Sequence, residues 1–138
     1  METTVEQTAT CAQADGDAQP VLLVEDDQQV QHVLRCSLED DGVPVETAAN
    51  GRQALAAATR CHPGVVVLDL GASHQEGLRM ATELRAICGP DIPLVVITAD
   101  QHAPRQAQQI DAAAYFYKPF PLVGVVNCVR YLLQSHPH

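Results

Sequence analysis

Five short apolar runs recur along the chain, V-L-L-V (21–24), V-P-V-E-T-A (43–48), V-V-V-L-D-L (65–70), L-V-V-I-T (94–98) and Y-F-Y (115–117), and a helix-spaced segment follows each one. The first, third and fourth are continuous rather than alternating, the pattern of strands covered on both faces. Behind the first run, Val30, Val33, Leu34 and Leu38 form an apolar stripe over residues 27–40. An Ala-rich segment occupies 52–60, and Leu78, Ala81, Leu84 and Ile87 share a face over 77–87. A short segment runs from Pro104 to 112, and Leu122, Val125, Val126, Val129, Leu132 and Leu133 point one way over 121–134. Gly42, Asn50-Gly51, Pro63-Gly64 and Gly89-Pro90 stand at the boundaries, where turns are expected. Strict strand–helix alternation predicts an α/β protein with one doubly wound parallel sheet and no repeat or internal linker.

Residues 1–19 differ from the rest. They are polar, lack Lys and Arg, and hold four of the 17 acids (Glu2, Glu6, Asp15, Asp17), so they are expected to form a disordered leader to a domain spanning 20–138. The net charge is −9, the body after the leader carries about −5, and no basic stripe interrupts it. Phosphate backbones require clustered cations, which argues against direct nucleic-acid recognition. No apolar run approaches the ~18 residues of a membrane span, and the N-terminus has neither the cationic start nor the apolar middle of a secretory signal. A cytoplasmic location is expected. The five cysteines (Cys11, Cys36, Cys61, Cys88, Cys128) form an odd set without C-x-x-C spacing, and are expected to be reduced, small, buried residues. His62, His74 and His102 show no ligand spacing and are expected at the surface.

In doubly wound sheets, ligands bind outside the carboxyl ends of the strands. The first strand runs into Glu25-Asp26-Asp27, the third into Asp69, the fourth into Thr98 and the fifth into Lys118-Pro119. Each has an ordinary reading by itself: Asp26 or Asp27 as a helix cap, Asp69 as a loop cap, Thr98 as a good strand residue, Lys118 as a solvated strand end. Their joint placement points instead to one crevice of carboxylates, a hydroxyl and an ammonium. Carboxylates so close repel one another, and a hard divalent cation such as Mg²⁺, or Mn²⁺ in its place, relieves that repulsion through oxygen ligands. Cation and ammonium together would attract a phosphoryl group. Lys118 is the only lysine, the other seven bases being arginine, and its compact point charge is not duplicated by a planar guanidinium.

The motifs V-L-L-V-E-D-D, V-V-L-D-L with Gly77 eight residues past its Asp, V-I-T-A and Y-F-Y-K-P-F, in order over 20–134, resemble those of the response-regulator receiver family. The resemblance implies a flavodoxin-like sheet with strand order 2-1-3-4-5. It implies that Glu25 and Asp26 are the acidic pair that helps hold Mg²⁺, that Asp69 is the phosphoacceptor, and that the backbone carbonyl of Gly71 completes the metal site. Thr98 matches the hydroxyl that bonds the phosphoryl group, Lys118 the family's cation, and Tyr115 an aromatic switch. Gly71 and Asp100 match the positions that modulate phosphoryl lifetime. The sequence departs from the family at Ser73, where Pro is frequent, and at Ala112-Ala113, where Gly-Ala is usual. The stretch from Thr98 to Lys118 is also somewhat short, which bears on the shape of the fourth helix.

The function so implied is phosphoryl transfer to Asp69 from the phosphohistidine of a sensor histidine kinase or histidine phosphotransfer protein. The chain would not be an enzyme on free substrates. The sequence ends four residues beyond the last expected helix, so output is expected through protein contacts or self-association on the face made by helix four, strand five and helix five, or by onward phosphotransfer. One rival is a receiver-like interaction module independent of phosphorylation, against which the full acid, Thr and Lys set stands. Another is an Asp-nucleophile phosphatase, which would use a second acid where this chain has Gly71.

Overall fold

The computed structural model describes residues 19–69, 74–99 and 103–135. Residues 1–18, Gly71, Ser73, Asp100 and His102, on which several of the expectations above fall, lie outside the described residues. The elements are β1 (Val21–Val24), α1 (Gln28–Asp40), β2 (Val45–Ala48), α2 (Gly51–Cys61), β3 (Val65–Asp69), α3 (His74–Cys88), β4 (Leu94–Thr98), α4 (Ala103–Ile110), β5 (Ala114–Tyr117) and α5 (Leu122–Ser135). The five strands form one parallel sheet in the order β2-β1-β3-β4-β5, as expected. β1, β3 and β4 are the three central strands, and their apolar residues are all buried. That is why their sequences are continuous apolar runs.

Successive side chains along a strand point to opposite faces, so the sheet divides the interior into two cores. Leu22, Val24, Val66, Leu68, Leu94 and Val96 pack with Ala54, Ala57, Ala58, Ala81, Leu84 and Ile110 of α2, α3 and α4. Val21, Leu23, Val65, Val67, Val95 and Ile97 pack on the other face with Leu34 and Leu38 of α1 and Val125, Val126 and Val129 of α5. Each fully buried Leu, Ile or Val contributes roughly 1.5–3 kcal/mol of transfer free energy. The stripe expected on α1 needs one correction. Val33 is 49% exposed, because Val30, Leu34 and Leu38 already form the line that meets the sheet and Val33 falls beside it.

Local signals set the element ends. Asp27 caps α1 by accepting from the Gln29 and Val30 amides. Asn50, expected as part of a turn, caps α2 by accepting from the Gln53 amide at 2.9 Å while the Gln53 side chain accepts from the Ala49 amide at 2.7 Å. Gly42 follows α1 at φ +84 and Gly89 follows α3 at φ +109, a backbone region where a Cβ is strained. α3 starts at His74, ahead of the expected Gly77. Gln19 already belongs to the packed body, donating to the His62 carbonyl at 3.3 Å. None of the four described cysteines is in a disulfide, and only Cys61 is buried; Cys36, Cys88 and Cys128 are half-buried. Burial pushes the Cys88 and Cys128 thiols up in pKa. Among the described residues, no helix is long and apolar enough to cross a membrane.

Candidate functional site

The parallel register aligns the carboxyl ends of the central strands. Val24 pairs with Leu68, and Asp69 pairs with Ile97, so Glu25, Asp69 and Thr98 emerge at one edge. The Glu25 amide extends the ladder to the Ala48 carbonyl at 2.9 Å. Gln31, from α1, donates to the Glu25 carbonyl at 3.0 Å and to the Ala48 carbonyl at 3.4 Å, clamping the ends of β1 and β2. This clamp has no sequence signature beyond a Gln at the right turn of α1.

Of the three consecutive acids, Asp27 serves as the helix cap, while Glu25 and Asp26 face the crevice. Glu25 is 2% exposed, and its Oε2 accepts from the Asp27 amide at 3.2 Å. Asp26 is exposed at the rim. One carboxylate oxygen each from Glu25, Asp26 and Asp69 lie within 4.8 Å of one another. Lys118 is brought in by its own amide, which donates to the Thr98 carbonyl at 2.9 Å. Its Nζ stands 2.9 Å from Asp69 Oδ2 and 3.5 Å from the Glu25 carboxylate. The Lys118–Pro119 peptide is cis.

Burial pushes the Glu25 carboxyl up to about 8, assisted by a hydrogen bond to Asp69 and by the Asp69 charge, while the Asp27 amide and Lys118 pull the other way and lose. Burial also opposes the charge on Lys118, but the hydrogen bond and charge of Asp69, with Glu25 behind them, prevail and raise its pKa. Glu25 Oε1 is buried and accepts no hydrogen bond. Three carboxylate oxygens in reach of a common centre, and a Glu25 oxygen buried without a hydrogen bond, fit a hard divalent cation.

Thr98 is fully buried at the end of β4. The register Val96–Tyr115 and Thr98–Tyr117, with strand alternation, puts Thr98, Tyr115 and Tyr117 on one face of the sheet. Tyr115 is 42% exposed and meets Tyr117 edge-on, ring centroids 6.1 Å apart. It lines a hollow of about 360 Å³ with Pro104, Ala107 and Gln108 of α4. A second hollow, about 340 Å³, is walled by Gln29, Val30 and Val33 of α1 and by Lys118, Pro119, Phe120 and Leu122. The exposure of Val33 is explained by this apolar groove, which the sequence did not reveal because its two walls lie far apart along the chain.

A five-stranded parallel sheet in this order, with an acidic crevice and one lysine at its carboxyl edge, defines a CheY-like class of signalling domain. The chain belongs to the response regulator receiver domain family, whose profile matches residues 21–130. It is 37% identical over 116 residues to the response regulator MprA of Mycolicibacterium vanbaalenii, covering 83% of this chain and 50% of that one. The MprA protein of Mycobacterium leprae is 36% identical over the same coverage. The chain thus spans about half the length of these curated relatives. Among solved structures, the receiver domain of NtrX from Brucella abortus matches with a TM-score of 0.74 and 26% identity, over 84% of this chain and 99% of that one. The chemotaxis protein CheY4 of Vibrio cholerae has the same TM-score and coverages at 24% identity. The chain is therefore a receiver domain of two-component signalling, a family of signalling modules and not of enzymes acting on free substrates.

Proposed function

We propose that this receiver accepts a phosphoryl group on Asp69 from the phosphohistidine of a sensor histidine kinase or histidine phosphotransfer protein. The observation that carries this reading is the Lys118 ammonium 2.9 Å from Asp69 Oδ2, inside a cluster that also holds Glu25 and Asp26. In the transfer, the P–N bond to the donor imidazole breaks as a P–O bond to an Asp69 oxygen forms, and the imidazole leaves. There is little covalent work for the protein; it positions the group and offsets charge. Mg²⁺ (or Mn²⁺), held by Glu25, Asp26, Asp69 and the Gly71 carbonyl, would neutralise the phosphoryl oxygens. Lys118 binds another of those oxygens, and the Thr98 hydroxyl donates to a third. The groove between α1 and Phe120 is lined in part by Lys118, which bonds Asp69, so a donor helix seated in it would bring its phosphohistidine near Asp69.

Thr98, drawn toward the phosphoryl group, vacates space for Tyr115, and the face of α4, β5 and α5 changes its affinity for a downstream protein or a second copy. Gly71 and Asp100, which match the family's lifetime-modulating positions, tune the attack of water on the acyl phosphate. Residues 20–138 act as the receiver body behind a polar leader, in the cytoplasm. Incubation with a small acyl phosphate and Mg²⁺ should add one phosphoryl group by mass, and Asp69→Asn should abolish it. Equal labelling of that variant would overturn the assignment, and no labelling of the wild type would favour the phosphorylation-independent module.

A further inference from the structure

α4 is fastened at one end. Among its described side chains, the buried ones are Ala107 and Ile110, both in the C-terminal half, whereas Pro104 and Arg105 near the start are exposed. The last carbonyls of a helix have no partners within it. Here Arg85 of α3 supplies them, donating from Nη1 to the Ile110 carbonyl and from Nη2 to the Asp111 carbonyl at 2.9 Å. The chain turns at Asp111, φ +62, a left-handed conformation that Asp tolerates better than most residues. The Asp111 amide returns to the Gln108 carbonyl at 3.1 Å and the Ala112 amide to the Ala107 carbonyl at 2.8 Å; the Ala113 amide then joins the Leu94 carbonyl of β4 at 2.8 Å. Positive φ thus falls on Asp111, and Ala112-Ala113 carries none of that strain. The guanidinium also faces the negative end of the α4 dipole.

We propose that Arg85 is a positioning residue that pins the C-terminal end of α4, so that α4 answers events at Asp69 by swinging its N-terminal half about that pin. The proposal rests on the receiver reading of the Asp69 site. A planar fork bonded to two successive carbonyls fixes both the position and the rotation of the helix end, which a single ammonium bond does not. Ile110, fully buried against the α2–α3 core, supplies the apolar seat of the pivot. The swing is therefore delivered to the Tyr115 hollow, whose wall includes Pro104 near the start of α4.

Amide exchange measured by NMR on wild type, Arg85→Lys and Arg85→Gln, with and without Mg²⁺ and beryllofluoride, tests this. In wild type, amides 110–113 should stay protected in both states while those nearer the start of α4 change. In Arg85→Gln, amides 110–113 should exchange roughly tenfold or more faster without any additive, as expected for losing charged hydrogen bonds, and beryllofluoride should then alter the whole helix. Arg85→Lys should fall between them. Unchanged exchange at 110–113 in Arg85→Gln, or wild-type changes as large at 110–113 as at the helix start, would overturn the pin. A chain indifferent to beryllofluoride at every amide would count against the receiver reading instead, and the additive-free comparison would still decide on Arg85.

Discussion

The Lys118 ammonium bonds Asp69 Oδ2 at 2.9 Å and reaches the Glu25 carboxylate at 3.5 Å, so one cation serves two acids from different strands. With Asp26 beside them, the ionised cluster would carry two negative charges in excess of that cation. Burial, assisted by Asp69, raises the Glu25 pKa and so removes one of these charges in the metal-free protein; a divalent cation would offset them instead.

Lys118 should be needed for transfer and not merely for folding. Lys118→Met is expected to lower the rate of Asp69 phosphorylation by about 10²-fold or more, the usual cost of removing a preorganised charge donor. Lys118→Arg should recover only part, because a guanidinium does not fit where an ammonium bridges two carboxylates. Single-turnover labelling measures both; wild-type rates in Lys118→Met would remove it from the mechanism.

Mg²⁺ should raise the melting temperature of the unphosphorylated protein. At a concentration tenfold above its dissociation constant the gain is about 1.4 kcal/mol. Asp26→Asn should abolish most of that gain while leaving the metal-free protein as stable or more stable, since it relieves carboxylate repulsion at an exposed position. Full Mg²⁺-dependent stabilisation in the variant would show that Asp26 is not a ligand.

Stability without metal should fall with rising pH. The folded Glu25 carboxyl titrates near 8 against a reference of 4.5, so the folded state holds its proton where the unfolded chain releases it. The contribution is complete below about 4.5 and is lost progressively as pH rises through that value to about 8. The effect is on the order of a few kcal/mol at most. Glu25→Gln should flatten the profile measured in a chelator, and saturating Mg²⁺ should weaken it in wild type. A flat wild-type profile in chelator would contradict the raised pKa.

Asp100 should govern lifetime rather than acceptance. Replacing it by Lys or Arg reverses its charge and is expected to change the decay of the acyl phosphate several-fold with labelling intact. Decay rates unchanged across several substitutions would exclude it.

Output should map to α4, β5 and α5. Tyr115, Val123 and Tyr131 are exposed there at 42%, 71% and 68%, more apolar surface than solvation calls for. Beryllofluoride with Mg²⁺ should shift amide resonances most at 98–118 and along α5, and Tyr115→Ala should reduce the change in partner or self-affinity. Shifts confined to the loops around Asp26 and Asp69 would move the output elsewhere.

By itself the sequence determined the element order, the doubly wound class and the set of residues at the strand ends. Continuous runs such as V-V-V-L and L-V-V-I are stable only with both faces covered, and Gly42 and Gly89 end helices through backbone freedom that is local to them. These signals have a range of one helical turn or one strand. Strand order, by contrast, was legible only through the family resemblance. The tertiary structure alone decided that Glu25 is buried while Asp26 next to it is exposed, that Val33 leaves the core to wall a groove with Phe120, and that Arg85 caps a helix 25 residues further on. It also decided that Lys118 bonds an acid 49 residues away. Each of these depends on how two elements are set against one another, which is fixed by side-chain packing across the sheet. No periodicity within either element encodes that setting.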